Sequence, residues 1–245
     1  MIRLLFLFLP FLAGHSVPDT LSYEVHYKLG TLDTRVVTAK LTWNDTDWNE
    51  IPAYYSTVVL RPTPFFRLFL SRNYFAETYF SRHDPKPLFF ANPFKKNGKE
   101  GFHEYVYGRD TIASTSVFET GKVVHASFPN DGRTVDFLSL VHYLRFLDLS
   151  QTQEPLPLHI LISGKLYAAE ILYLGQDLEK YPDTPADKFL LLFTERGLME
   201  NGSGKEVYLW RSMAPDHTLL GLETRLSTGS MSVGITPPKK SDDEN

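Results

Sequence analysis

The chain has 245 residues, no cysteine, and 25 basic against 29 acidic side chains, for a net charge of −4. That composition excludes disulfides, thiolate metal sites, cysteine nucleophiles and a lipid-modified cysteine. It also speaks against nucleic acid as a partner, since phosphate backbones are bound by clustered basic surface.

The first sixteen residues, MIRLLFLFLPFLAGHS, place Arg3 ahead of an apolar run from Leu4 to Leu12, then the small residues Ala13, Gly14 and Ser16. This layout predicts a secretory signal peptide at 1–16. The run is shorter than the roughly 20 residues that span a bilayer, and no second long apolar segment follows. The expectation is a periplasmic or secreted protein with no transmembrane segment in the mature chain. A single β-rich domain is expected at 17–236, with a polar, disordered tail at 237–245.

Eighteen Phe, 13 Tyr and 3 Trp favour strands, because rings fit a half-buried pleated surface. Leu21 to Leu29 alternates apolar and polar residues with period 2. Arg35 to Trp43 repeats the pattern, so the two predict a hairpin through Gly30 to Asp33. Asn44 to Asn49 reads as a polar turn, and Ala53 to Arg61 as a third strand. A helical turn after Pro62 and Pro64 leads into a strand at Tyr74 to Ser81. Further strands are predicted at 88–95, 102–107, 111–119 and 122–127, with a hairpin turn at Asn97-Gly98.

From Thr134 to Leu147 the period changes. Phe137, Leu140, Val141, Leu144 and Leu147 follow the i, i+3, i+4, i+7 spacing of an amphipathic helix. Thr134 suits its N-cap, and Asp136 its first turn. After a linker at Ser150 to Pro157, strands resume at 158–163, 165–173, 189–194, 206–212, 219–226 and 230–235. The fold class predicted is mainly β: a curved antiparallel sheet or half-open barrel with one main helix, about 134–147, packed on it.

Four segments in this order carry a resemblance: YEVHYKLG, DFLSLVHYLR on the helix, YLWRS, and LETRLSTGSMSVGI. Together they resemble domain-of-unknown-function family 3108, a group of exported bacterial proteins, over about Leu21 to Ile235. The most specific positions are Asp136, Ser139, Tyr143 and Arg145, with Trp210 and Ser212. The resemblance implies a strongly curved sheet like the half-open barrels of periplasmic lipoprotein carriers, with the helix across its concave face. The family has no established activity, so no site residues follow from it.

Asp136, Ser139 and His142 stand at i, i+3 and i+6 of the helix and invite comparison with a hydrolytic constellation. A serine inside a regular helix lacks free backbone donors for an oxyanion, and no G-x-S-x-G elbow occurs. Capping and helix–sheet hydrogen bonding is the preferred reading, and no enzyme activity is predicted. The carboxylate pairs Asp45/Asp47 and Glu104/Asp110 lie in or beside turns. Eight histidines are scattered with no H-x-x-x-H pair, so neither metal nor cofactor is expected.

The aromatic run from Phe65 to Phe80, with Phe89, Phe90, Phe94 and Phe102, is either core or the lining of an apolar cavity. Arg145 either pairs with a sheet carboxylate or meets an anionic headgroup at the cavity mouth. The candidate ligand-binding residues are therefore Phe66, Phe69, Tyr143 and Arg145. The leading reading is a non-enzymatic carrier of an apolar or amphipathic cell-envelope ligand, such as a lipid or acylated component. The alternatives are a periplasmic scaffold for envelope proteins and, third, a cell-envelope hydrolase.

Overall fold

The computed structural model describes residues 20–68, 74–84, 86–96, 98–148, 154–194 and 205–236. The predicted signal peptide, Phe69 and the predicted tail lie outside the described residues.

In chain order the elements are β1 (Thr20–Leu29), β2 (Leu32–Trp48), β3 (Ile51–Pro62), a 3-10 turn (Phe66–Leu68), β4 (Tyr74–Ser81) and β5 (Pro87–Lys96). There follow β6 (Lys99–Tyr107), β7 (Thr111–Val117), β8 (Val123–Pro129), β9 (Thr134–Asp136) and the helix α1 (Phe137–Phe146). The second half holds β10 (Leu156–Ile162), β11 (Lys165–Asp177), β12 (Ala186–Phe193), β13 (Glu206–Ser212), β14 (Leu219–Arg225) and β15 (Ser230–Ile235).

All the strands join one sheet in the order β8-β7-β6-β5-β4-β3-β2-β1-β15-β14-β13-β12-β11-β10-β9. Every neighbour is antiparallel except β9 and β10, which α1 connects in parallel. The first and last strands pair at the seam, with Val25 opposite Val233. β8 and β9, consecutive in the chain, stand at opposite edges.

The sheet closes by rolling up. The turn after β10 reaches the wall at the other end, where the Gly164 N–H donates to Tyr105 Oη at 2.8 Å. Leu161 is fully buried there among Phe90, Tyr105 and Ile112. α1 lies inside the roll. Its Leu138 joins the cluster of Tyr23, Leu41, Phe90 and Tyr105. Its Leu140 and Leu144 join Ile160, Ile171, Phe189 and Leu209 on the opposite wall. An amphipathic helix usually keeps one wet face. Here Phe137, Val141, Tyr143 and Arg145 are half-buried, and within the helix only Phe146, at 43%, is exposed.

The fold class is the one predicted: mainly β, a large curved sheet and one main helix. Two local readings change. The helix begins at Phe137, because Thr134–Asp136 runs extended and pairs with His159–Leu161. Asp136 is therefore the N-cap, accepting from the Leu138 and Ser139 N–H groups at 2.9 and 2.8 Å. The polar stretch Asn44 to Trp48 is strand, since β2 and β3 continue past the body of the sheet as a hairpin. Asn49 and Glu50 turn it with φ of 48° and 69°, the two-residue geometry that suits strand twist. Among the described residues no helix is long and apolar enough to cross a membrane.

Candidate functional site

Inside the roll, a polar seam joins α1 to β3 and β4. Asp136, Ser139, Thr78, Ser56 and His142 are all fully buried. Ser139 Oγ is hydrogen-bonded to Asp136 Oδ2 at 2.6 Å and to Thr78 Oγ1 at 2.8 Å. Thr78 also bonds the Phe89 carbonyl, and the Tyr107 hydroxyl donates to Asp136. His142 Nε2 meets Ser56 Oγ at 2.5 Å, within a box of Trp43, Tyr54 and Phe80 rings. So Ser139 turns to Asp136 and Thr78, whereas His142 turns to Ser56. Burial pushes Asp136 up to about 6 and His142 down to about 3. These residues hold the helix in place, as buried polar groups need partners.

At the C-terminal end of α1, Arg211 caps the helix. Its Nη1 donates to the Leu144 and Leu147 carbonyls at 2.7 and 2.5 Å, and its Nη2 to Asp187 at 2.7 Å. The space left beneath the helix, between Phe137, Tyr74, Phe90 and Leu161, is about 30 Å³, room for about one water.

The larger free spaces lie on the outer face. One cleft follows β15 and has two arms, of about 610 and 240 Å³, which share Lys180, Glu223 and Ser232. Alternation along β15 sends Met231, Val233 and Ile235 inward and leaves Ser230, Ser232 and Gly234 outward as a low floor. Gly221 on β14 lies opposite Gly234 and extends that floor. One wall is Trp210, Tyr208 and Lys188, covered by the loop after β11. Asp177 organises this wall: it accepts from Trp210 Nε1 at 2.8 Å and from the Glu179 and Lys180 N–H groups. The Trp210 hydrogen bond is the main cause that holds the Asp177 carboxyl below its ordinary range. The Lys180 and Lys188 ammoniums lie 5.1 and 5.4 Å from the Trp210 ring. The other wall is Glu24, His26, Lys28 and Asp33, with Arg35 paired to Glu24 and His26 2.9 Å from Asp33.

The two glycines in the floor differ. A Cβ on Gly221 would overlap the Tyr181 hydroxyl and the Val233 carbonyl, whereas one on Gly234 meets nothing within 4 Å. Gly221→Ala is expected to destabilise by about 1–3 kcal/mol, the usual cost of overpacking, because a strand carbonyl cannot move aside. Gly234→Ala is expected to leave the melting temperature almost unchanged. Thermal denaturation of the two variants side by side checks this.

A third groove, of about 650 Å³, runs along Phe94, Phe102 and Val117. It takes in part of the aromatic run singled out in the sequence. Among the described residues its only charged ones, Lys95 and Glu100, are ion-paired at 3.6 Å.

The four sequence candidates are not brought to one place. Phe66 is half-buried on the 3-10 turn, edge-on to Phe65 at 5.2 Å. That turn precedes the Tyr74 end of β4, whereas Arg145 belongs to the Phe80 end, where Phe80 stacks on Phe146. Phe69 lies outside the described residues. Tyr143 is half-buried against the cluster of Ile160, Ile171 and Phe189, and burial raises its pKa. Arg145 donates to the Asp216 carbonyl at 3.1 Å and lies 5.4 Å from the Trp43 ring centroid. Its partner is thus a backbone oxygen and an aromatic face. Sequence reading missed the cleft, although the alternation Ser230, Ser232, Gly234 was visible.

Neither a scan against protein-family models nor a search of curated proteins returns a match. Among solved structures the chain is similar to a β-barrel-like protein of domain of unknown function DUF1849 from Brucella abortus. The likeness has a TM-score of 0.56 at 9% identity and covers 90% of this chain and 96% of that one. At that identity it shows the fold alone. The neighbour's domain differs from the one that the sequence motifs resemble.

Proposed function

We propose that the chain is an exported, non-enzymatic binding protein whose ligand, an amphipathic cell-envelope component, lies in the outer cleft over β15. One observation carries this reading. The space seen beneath the helix among the described residues is about 30 Å³, while the cleft offers arms of about 610 and 240 Å³. Ligand sites generally hold about 300–1,000 Å³. A low floor between an aromatic wall and a charged wall suits a ligand with both polar and apolar parts. The apolar run at 4–12 behind Arg3 supports export.

The test is native mass spectrometry of the protein purified from its own host, beside a Ser232→Trp variant. Ser232 lines both arms, and an outward Trp is well tolerated on a strand. A co-purifying ligand on the wild type that is absent from the variant is the expected result. A ligand retained by Ser232→Trp would place binding elsewhere and overturn the reading.

A second reading, an interaction scaffold, draws on a different feature. Tyr55, Tyr79, Phe89 and Val106 form a row across the outer face of β3–β6, with Trp48 stacked on Phe89 at 4.8 Å. A clean apo mass for the wild type would favour it.

A further inference from the structure

We infer that the wider arm of the cleft binds a phosphate group carried by the ligand, held between Lys28 and Arg225 above Ser230. This rests on the cleft reading and deepens it.

The argument starts from charge. The chain as a whole is acidic, with a net charge of −4. The wider arm is lined by four cations, Lys28, Lys180, Lys188 and Arg225, against two carboxylates, Asp33 and Glu223. Both carboxylates are already engaged. Glu223 is ion-paired with Lys180, and Asp33 is hydrogen-bonded to His26. Asp177, the nearest carboxylate to Lys188, is 3.8 Å away and already accepts from Trp210 and two backbone N–H groups. Lys28 stands opposite Asp33, whose carboxylate is turned to His26, and Arg225 forms no ion pair among the described residues.

Register then sets the geometry. Ser230 pairs with Lys28 on one side and with Arg225 on the other. Directly opposed residues share a face, so two cations flank one outward hydroxyl. Cross-strand Cβ atoms are about 5 Å apart, which puts the two stems about 10 Å apart. Both side chains are long enough to meet above Ser230. Two like charges flanking one position repel unless an anion sits between them. Lys188, ion-paired with Asp177 and packed on the Trp210 and Tyr208 rings, lines the far end of the arm, level with Gly234. A planar guanidinium, an ammonium and a hydroxyl form a donor set suited to a phosphate, whose three oxygens accept strongly. A fixed local excess of positive charge on an acidic protein also draws anions to this arm.

The experiment uses the full mature chain, its Lys28→Glu/Arg225→Glu variant and Ser232→Trp. Lys28→Glu sets a carboxylate opposite Asp33, a like-charge pair that lowers the melting temperature slightly, so binding is compared at a temperature where circular dichroism shows every variant folded. Two probes separate the sources of the phosphate: soluble glycerol phosphate by calorimetry, and flotation with phosphatidylcholine vesicles with or without phosphatidic acid. The expected result is saturable binding of a phosphate probe that weakens at least about tenfold in the double reversal and is lost in Ser232→Trp. Binding of glycerol phosphate points to a soluble phosphorylated ligand. Binding only to phosphatidic acid vesicles points to a lipid headgroup. Absence of phosphate binding, or binding indifferent to the charge reversal, overturns the proposal. In that event the cleft reading stands or falls separately, on whether Ser232→Trp releases the ligand that co-purifies from the host.

Discussion

Arg211→Ala is expected to destabilise the fold by about 3–5 kcal/mol, the range for breaking a buried ion pair by removing one partner. Arg211 is 5% exposed and serves three groups at once. Its guanidinium caps two helix carbonyls, pairs with Asp187 and lies 4.9 Å from the Phe189 ring centroid. Truncation leaves the Leu144 and Leu147 carbonyls without this donor and strands a carboxylate. Asp187 keeps only the Tyr173 hydroxyl, at 3.1 Å. The double variant Arg211→Met/Asp187→Leu removes the stranded charge together with its partner and should recover part of the loss. Urea unfolding of both variants measures the difference. Equal stabilities would mean that Asp187 is not the costly group.

The second large effect concerns acid. His142 stands well below its ordinary value of 6.5, at about 3, because burial disfavours the imidazolium and Arg145 adds repulsion. Between these values the unfolded chain binds a proton that the folded chain does not. Stability from this group therefore rises with pH from about 3 to 6.5 and is lost as the solution is acidified. Asp136 acts with the opposite sign. Its carboxyl is raised from 3.8 to about 6 by burial, so the folded chain holds the extra proton and stability falls as pH rises through that window.

Burial alone raises Asp136, since the Ser139 and Tyr107 hydroxyls and the Leu138 and Ser139 N–H groups all donate to its carboxyl and act to lower it. Asp136 Oδ2, Ser139 Oγ, Thr78 Oγ1 and the Phe89 carbonyl form a chain of three contacts.

In the wild type the two groups offset each other between about pH 4 and 6. Asp136→Asn should expose the His142 slope, with stability gaining about 1.4 kcal/mol per pH unit over that interval. His142→Asn should expose the reverse slope. Chemical denaturation at several pH values, each variant compared with the wild type, reads both signs. Parallel profiles for all three proteins would refute the assignment.

Much of the sheet was legible because its strands alternate. Tyr23, Val25 and Tyr27 face one way and Glu24, His26 and Lys28 the other, and β1 is where the sequence places it. The extension of β2 through Asn44–Trp48 was hidden for a physical reason. That part of the hairpin leaves the body of the sheet and has little core to face, so the period-2 signal fades. The helix was legible in its spacing, but its place inside the roll was not, since a filled lumen and a hollow one use the same Leu138, Leu140 and Leu144. Asp136 showed itself as a first-turn anion; that it is the N-cap depends on β9 pairing with β10, a contact between distant segments. The cleft was unreadable for a similar reason. Ser230, Ser232 and Gly234 sit on a predicted strand, and become a floor only when register sets that strand between β1 and β14.

The seam between β1 and β15 also imposes an order of events. Nearly every other pair in the sheet joins strands that follow one another in the chain, so most of the ladder can grow as the polypeptide emerges. β1 must wait for a partner about two hundred residues away, and its two edges are completed at very different times. Such distant closures are slow steps, because the intervening chain loses its freedom before the contact is made. Ser230, Ser232 and Gly234 belong to the late strand. Until it arrives, the cleft has walls but no floor, so the proposed site takes shape only when the sheet is complete.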